Sequence, residues 1–138
     1  VQDNHSFSAK NTLRGMHFQT SPGQAKLISV VNGKILDVVV DIRPSSKTYK
    51  KWYSITIDDI NYCQLFVPVG FAHGYCILSE NAHVIYKVSS IYDPNTEKGF
   101  KWNDPEIGID WPIENPILSK RDIQAPLFNE LFYPNALL

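Results

Sequence analysis

The sequence predicts an all-β fold, either a sandwich or a barrel built from short strands. In the central region, apolar residues alternate with polar ones or form short continuous runs. Turn residues separate these segments at intervals of about ten residues, which is typical of sandwiches and barrels. The Asn32-Gly33 dipeptide lies between two such segments and is the strongest short signal for a hairpin.

Six segments are predicted to be strands, and clusters of turn residues separate them. The clusters lie at 44–46, 58–59 and 79–81, where proline, serine, aspartate and asparagine are concentrated. After Tyr92 repeated prolines interrupt the chain, so we predict an irregular tail with one helical turn at 119–124. The predicted strands are 26–31, 34–42, 52–57, 64–67, 74–78 and 83–89.

A two-residue loop at Asn32-Gly33 fixes the pairing of the strands on either side of it. Lys26 and Asp37 then become diagonal neighbours on an otherwise aliphatic face. Buried charges are costly unless they are paired or face a wet cavity. Two interpretations stay open. In the first the residues are structural, either as an ion pair in the core or exposed to solvent after a register slip. In the second they form a polar patch that lines a pocket. The predicted register pairs Val31 with Lys34, Ile28 with Asp37 and Lys26 with Val39, and it places Lys26, Ile28, Val30, Ile35, Asp37 and Val39 on one face.

Length and composition indicate one folded domain spanning residues 1–138. Of the 138 residues, 43% are hydrophobic and 20% charged, which is enough for a sizeable core. The net charge of −1 and the lack of a basic cluster give no indication of nucleic-acid binding. The apolar stretches are far too short to span a bilayer and nothing resembles a secretory signal, so we expect a cytoplasmic protein without a membrane partner.

Two segments point most directly to chemistry. Residues 13–19 place His17 close to Gly15, and residues 67–75 place His73 beside Gly74. A lone histidine on a strand is more often structural than functional. A barrel that brought these two strands together, however, would line a pocket with two groups able to move protons near neutral pH. The pattern therefore favours acid–base chemistry.

Six separate blocks, in order along nearly the whole chain, carry a family resemblance. They are RGMHFQ (14–19), KLISVVNGKILDVVVDIR (26–43), VPVGFAHGY (67–75), IYK (85–87), WNDPEIGIDWP (102–112) and LSKRD (118–122). The chain resembles the dTDP-4-dehydrorhamnose 3,5-epimerases of deoxysugar biosynthesis. The resemblance implies a jelly-roll (cupin) barrel with a short, mostly irregular C-terminal segment. It also implies a homodimer that inverts C3 and C5 of a dTDP-linked 4-keto-6-deoxyhexose, with no cofactor and no metal.

The resemblance also implies roles for particular residues. His17 matches the general base, Asp122 the carboxylate that orients it, and Tyr86 the general acid. Lys26 matches the residue that stabilises the enolate oxygen, and Arg14 matches a contact to the diphosphate. The other matches are His73 and Asp37, a second buried His–Asp pair; Tyr92, an aromatic that stacks on the base; and Gln2 and Asn4, which reach the nucleotide.

Arg14 and His17 raise a local difficulty, because residues three apart point to opposite faces of a regular strand. A bulge at Gly15 is needed to aim both side chains at one pocket. We therefore predict a bulge at this glycine.

Family members carry a further segment before the position of Val1. It includes an arginine and a phenylalanine that reach into the partner subunit's site. We expect this N-terminal family segment to be missing here, so that either it lies outside this sequence or the chain lacks part of its substrate site.

Inversion next to a ketone explains why these residue types are needed. A hydrogen on the neighbouring carbon is acidic only because the resulting anion spreads onto the carbonyl oxygen. The site therefore needs a base near the carbon and positive charge near the oxygen. The proton must also return from the opposite face, which requires a second donor such as a phenol.

Three other functions stay open. A metal-dependent cupin is one, because Pro68-x-Gly70-x-x-His73 resembles the second metal-binding motif of that superfamily. The first motif should offer two imidazoles, whereas His17-Phe18-Gln19 supplies one. The others are a sugar-binding barrel without turnover, and a mono-epimerase that acts at C3 or C5 only, on another nucleotide-linked keto sugar.

Overall fold

The computed structural model describes residues 1–131, and they form nine strands and little helix. A four-residue helix, α1 (Lys120–Ile123), and one 3-10 turn (Phe128–Glu130) lie in the segment that follows the last strand. No helix among these residues is long and apolar enough to cross a membrane. The strands are β1 (Gln2–Ala9), β2 (Leu13–Gln19), β3 (Lys26–Asn32), β4 (Lys34–Asp41), β5 (Trp52–Asp58), β6 (Gln64–Val67), β7 (Phe71–Ile77), β8 (Asn81–Val88) and β9 (Glu97–Gly99).

The strands form two antiparallel sheets with apolar side chains packed between them. The four-stranded sheet has the order β1-β8-β3-β6, and the five-stranded sheet has the order β5-β4-β7-β2-β9. Successive residues of a strand point to opposite faces, so each sheet sends every second side chain inward. Ile28 and Val84 of one sheet belong to the same buried cluster as Ile35 and Ile77 of the other. The predicted all-β jelly-roll barrel with a short irregular C-terminal segment is confirmed.

The C-terminal segment packs on the five-stranded sheet and forms a second core. Phe100, Trp111 and Phe128 are buried against Val38 and Met16. These two residues point away from the first cluster, because they alternate with inward residues along β4 and β2. The predicted helical turn is present as α1, with Ser119 as its N-cap.

The strand predictions are accurate where apolar residues alternate. Strands β3, β4, β5 and β6 begin at the predicted residues, whereas β7 and β8 begin three and two residues earlier than predicted. Strand β1 was not predicted, because its inward positions carry Gln2, Asn4 and Ser6 rather than apolar residues. A polar inward face is the sign of a cavity rather than a dry core.

The predicted hairpin at Asn32-Gly33 is wrong. Strand β3 pairs with β8 and β6, whereas β4 pairs with β5 and β7, so this dipeptide carries the chain from one sheet to the other. A type I′ hairpin turn needs positive φ at both central residues, and here only Gly33 has it, at +90°. The N–H of Gly33 donates to Asp59 Oδ2 at 2.8 Å, and the N–H of Lys34 donates to Ser79 Oγ at 2.8 Å. Side chains of other loops therefore satisfy the backbone donors where the chain crosses between the sheets.

The predicted cross-strand contact between Lys26 and Asp37 is therefore also wrong. The two residues lie on different sheets, and both are buried. The predicted inward face is nonetheless correct, because Ile28, Val30 and Ile35 share one core cluster. Lys26 and Asp37 thus face the barrel interior from opposite walls.

The predicted bulge at Gly15 is confirmed. The pairing of β2 with β7 shifts register between Arg14 and His17, and Gly15 has a φ of +135°. A Cβ at this position would lie 2.6 Å from the Cα of Gly74. The glycine is therefore required both for its backbone conformation and for the close approach of β2 to β7.

We predict that Gly15→Ala lowers the free energy of unfolding by about 2–4 kcal/mol, because it adds backbone strain and a backbone clash. Gly108→Ala is the matched control. Gly108 also has positive φ, at +64°, but the atom nearest to a Cβ at that position would be Pro105 O, at 4.0 Å. Gly108→Ala should lower the free energy of unfolding by about 1 kcal/mol. Urea unfolding of both variants measures the difference, and equal losses would contradict the role of the close approach.

Candidate active site

A cavity of about 460 Å³ opens between the two sheets at one end of the barrel. Nine of the ten residues singled out in the sequence line it, and the tenth, Asp37, lies behind His73. The bulge at Gly15 aims both Arg14 and His17 into this cavity. The lining consists of Gln2, Asn4, Arg14, His17, Gln24, Lys26, His73, Tyr75, Tyr86, Tyr92, Glu97, Ser119, Arg121 and Asp122.

His17 and Asp122 form a hydrogen-bonded pair at the cavity wall. His17 Nε2 lies 2.6 Å from Asp122 Oδ1, and Asp122 is 2% exposed. Burial alone would raise the pKa of Asp122, but hydrogen bonds from His17 and Ser119 outweigh it and hold that pKa below its usual value. An ionised carboxylate only accepts hydrogen bonds, so in the neutral imidazole the proton is on Nε2 and the lone pair is on Nδ1. The neutral imidazole is thereby set up to act as a base through Nδ1.

The cap of α1 fixes the position of Asp122. Ser119 Oγ donates to Asp122 Oδ2 at 2.9 Å, and the backbone N–H of Asp122 donates to Ser119 Oγ at 3.1 Å. Both oxygens of the carboxylate are therefore engaged, which restricts its rotation. The spacing Ser-x-x-Asp is a sequence signal for this cap, and it could have identified Ser119.

Arg121 and Glu97 form an ion pair beside His17 that the sequence analysis missed. Arg121 Nη2 lies 3.3 Å from His17 Nδ1 and 3.1 Å from Nε2. Because Nε2 already donates to Asp122, the guanidinium can donate only to Nδ1. Arg121 therefore covers the basic nitrogen of His17 in this arrangement. Neither residue lies in a strongly periodic segment, so no pattern marked them.

His73 and Asp37 form a second pair, deeper in the wall. His73 Nε2 lies 2.9 Å from each carboxylate oxygen of Asp37. Asp37 is 0% exposed and His73 is 5% exposed. The pairing satisfies a buried carboxylate that would otherwise be costly, so a structural role accounts for these contacts as well as a functional one does.

Lys26 is a buried cation that faces the cavity from β3. Burial lowers its pKa from 10.5 to about 8, and the carboxylates of Glu97 and Asp37 limit the fall. The lysine is therefore charged at neutral pH, in surroundings where its field is weakly screened. Such a group can stabilise negative charge that develops nearby.

Two phenols also lie in the cavity wall. Burial raises the pKa of Tyr86, which keeps it protonated and able to donate at neutral pH, although the nearby Arg14 opposes the rise. The hydroxyls of Tyr75 and Ser6 lie 2.7 Å apart. Arg14 is held by Ser8 Oγ, to which its Nη2 donates at 2.9 Å. No sequence pattern marked Tyr75, because it lies in a run of β7 whose residues are all buried.

The inward polar face of β1 forms the rim of the cavity. Gln2 Nε2 donates to Asn4 Oδ1 at 2.8 Å, and the backbone N–H of Tyr92 donates to Gln2 Oε1 at 3.0 Å. Tyr92 is 45% exposed, so its ring is available for stacking. Gln24 completes this side of the cavity, and no pattern in the sequence marked it.

Within residues 1–131, no group of three or more histidine, cysteine, aspartate or glutamate side chains is arranged to hold a metal ion.

The fold and the cavity together define a class of protein. A two-sheet β barrel encloses an oriented imidazole, a buried ammonium and a protonated phenol, which is an equipped acid–base site. The chain belongs to the dTDP-4-dehydrorhamnose 3,5-epimerase family, whose model matches residues 1–130.

Individual relatives agree with this assignment. A dTDP-4-dehydrorhamnose 3,5-epimerase of Shigella flexneri is 46% identical over 134 residues, which cover 96% of this chain and 74% of the relative. A dTDP-4-dehydrorhamnose 3-epimerase of Streptomyces niveus is 43% identical over 131 residues, covering 94% and 63%. The crystal structure of a 3,5-epimerase from Legionella pneumophila in complex with dTDP-4-keto-L-rhamnose superposes with a TM-score of 0.92 at 42% identity, covering 100% of this chain and 73% of that one.

We predict that Lys26→Met raises the free energy of unfolding at pH 7 by about 1–3 kcal/mol, because it removes a buried charge. The folded-state pKa lies below the unfolded one, so the unfolded chain binds more protons between pH 8 and 10.5. The cost of Lys26 is thus fully present below about pH 8 and disappears as the pH rises toward 10.5.

Urea unfolding at pH 7 and at alkaline pH measures this effect, and the gap between wild type and Lys26→Met should shrink with rising pH. Lys87→Met is the control, since Lys87 is exposed and pairs with Asp3 at the surface. It should change stability by no more than about 0.5 kcal/mol. A Lys26→Met variant less stable than wild type at pH 7 would refute the prediction.

Proposed function

We propose that this protein converts dTDP-4-dehydro-6-deoxyglucose to dTDP-4-dehydrorhamnose by inverting C3 and C5. The observation that carries the proposal is the meeting of His17, Lys26 and Tyr86 in one cavity, with Asp122 on the imidazole. Family membership supports the substrate class, because the relatives are named for this reaction. The chemistry is proton transfer through enolate intermediates.

The first step is removal of the proton next to the ketone. His17 Nδ1 is the base and takes the proton. Asp122, which is bonded to Nε2, stabilises the imidazolium that results. Because Arg121 covers Nδ1, its guanidinium has to move aside before the carbon acid can approach. An oriented base of this kind contributes about 10²- to 10⁴-fold in rate.

Lys26 stabilises the enolate. Its ammonium is buried, and the two carboxylates that act on it, Asp37 and Glu97, are paired with His73 and Arg121 rather than with the lysine itself. The positive charge therefore remains available for the developing oxyanion. A preorganised donor of this type is worth about 3–4 kcal/mol in transition-state stabilisation.

Tyr86 returns the proton from the opposite side. His17 lies on β2 of the five-stranded sheet, whereas Tyr86 lies on β8 of the four-stranded sheet. A sugar bound between the sheets would meet the imidazole on one face and the phenol on the other, as inversion requires. Arg14 favours the phenolate that remains after donation.

The remaining predicted residues position the substrate in this proposal. Arg14 contacts the diphosphate, while Gln2 and Asn4 at the rim reach the nucleotide and Tyr92 stacks on its base. His73 and Asp37 shape the deep wall next to the sugar.

The assembly and location belong to the same proposal. We expect residues 1–138 to form one domain, and the protein to be a homodimer, as the family resemblance implies. Sedimentation should give twice the mass of the chain. The two cysteines, Cys63 and Cys76, are free thiols, which is in keeping with a cytoplasmic location.

A second candidate is inversion at a single carbon. The Streptomyces niveus relative is named a 3-epimerase, so the family includes proteins named for one centre. The residues that line the cavity fit both inversion at C3 alone and inversion at C3 and C5. A single inversion needs the same base and the same opposite donor, so the number of labelled carbons is what separates the two reactions.

Incubation with dTDP-4-keto-6-deoxyglucose in deuterated water tests the proposal. We predict solvent label at both C3 and C5, read by NMR or mass spectrometry. Label at one carbon would establish the mono-epimerase, and no label despite confirmed substrate binding would reject the mechanism.

We predict that His17→Asn lowers the rate of label uptake by about 10²- to 10⁴-fold, because it removes the base. His83→Asn is the matched control, since His83 lies on the outer face of the four-stranded sheet and bonds to His5. The control should exchange at the wild-type rate. Normal exchange in a folded His17→Asn variant would show that His17 is not the base.

A further inference from the structure

The Tyr75 hydroxyl lies deep in the cavity wall and has no part in the mechanism above. Tyr75 is 4% exposed and lines the same cavity as His17 and Tyr86. It stands on β7, directly opposite Arg14 on one side and Asp37 on the other. Its ring packs in the core between the sheets, so only the phenol end reaches the cavity.

The hydrogen bonds around Tyr75 leave one donor over. Its hydroxyl bonds to that of Ser6 at 2.7 Å, and within residues 1–131 neither hydroxyl has another hydrogen-bonding partner. Two hydroxyls carry two O–H donors, and their mutual bond uses only one. When Ser6 donates to Tyr75, the phenol O–H is free to donate into the cavity. A buried O–H donor without an acceptor is unfavourable, so the arrangement calls for an acceptor group on a ligand.

The surroundings of Tyr75 keep its phenol protonated. Burial raises the pKa of Tyr75 to about 12, although the bond to Ser6 opposes the rise. The phenol therefore stays neutral throughout the working range of a histidine base. Because its ring is held in the core and its hydroxyl is held by Ser6, this phenol is suited to binding a neutral polar group in a fixed position.

We propose that the Tyr75 hydroxyl, oriented by Ser6, binds one of the two ring hydroxyls of the keto sugar and makes Tyr75 a specificity-determining residue. The proposal rests on the function proposed above. In a dTDP-linked 4-keto-6-deoxyhexose, C1 bears the diphosphate, C4 is the ketone and C6 is a methyl group. In the mechanism proposed above Lys26 takes the ketone oxygen, so the hydroxyls on C2 and C3 are the polar neutral substituents left for such a phenol.

The test compares Tyr75→Phe with wild type on three sugar nucleotides: the full substrate and its 2-deoxy and 3-deoxy analogues. Exchange at C5 in deuterated water is measurable for all three, because the ketone is kept. On the full substrate the variant should lose about 10- to 100-fold in kcat/KM, mainly through a higher KM, since a buried sugar hydroxyl is left unpaired. On the analogue that lacks the bound hydroxyl, the two enzymes should differ by less than about twofold.

Two further variants separate recognition from folding. Tyr53→Phe is the matched control, because Tyr53 is 60% exposed on β5 and should tolerate loss of its hydroxyl. Ser6→Ala should lower kcat/KM on the full substrate by a smaller factor than Tyr75→Phe does. Combining the two changes should add little to the loss in Tyr75→Phe, because Ser6 acts through Tyr75. Thermal unfolding of each variant reports on the fold independently.

Each outcome decides the proposal. If Tyr75→Phe is unchanged on the full substrate, or is impaired equally on all three, Tyr75 does not read a sugar hydroxyl. If wild type exchanges none of them, the proposed function itself fails. Calorimetric binding of the three sugar nucleotides would then still show whether the loss of affinity in Tyr75→Phe depends on one hydroxyl.

Discussion

The close approach of β2 and β7 at Gly15 and Gly74 is the constraint on which the site depends. A side chain at Gly15 would meet the Cα of Gly74 at 2.6 Å, and one at Gly74 would meet Met16 Sδ at 2.7 Å. This contact holds the bulge that turns both Arg14 and His17 into the cavity. Without the bulge one of the two would point into the second core. The position of the base therefore depends on glycine at both of these positions.

Among the buried charges of residues 1–131, Lys26 remains available as a cation that faces the cavity. Asp37 and Asp122 are both buried, and each is bonded to an imidazole. Lys26 is buried as well, yet its attraction to Asp37 and Glu97 does not offset the loss of solvation, which lowers its pKa to about 8. A directly paired lysine would be more stable but would have less field to offer an oxyanion. The destabilised ammonium is what the proposed chemistry requires.

Much of the fold was predictable because apolar alternation marks strands that pack on one side. Strands β3 to β6 begin where the sequence places them. Strand β1 could not be found this way, since its inward side chains are the polar Gln2 and Asn4. The His–Asp pairs came from the family resemblance, because no local pattern joins His17 to Asp122. Arg121 and Glu97 were missed for a related reason: they lie in and near the irregular segment, where side-chain direction has no period.

The chain crosses between the sheets at Asn32-Gly33, where a hairpin was predicted, and this crossing explains why the site has two walls. Asn-Gly predicts a tight turn from local preference alone, but here neighbouring loops satisfy Gly33 and Lys34, and the chain crosses between sheets. Had β3 and β4 paired, Lys26 and Asp37 would share one wall and could neutralise each other directly. The crossing places them on opposite walls, so Asp37 bonds to His73 and Lys26 faces the cavity. The same division puts His17 and Tyr86 on opposing sheets, which is the arrangement that an inversion needs.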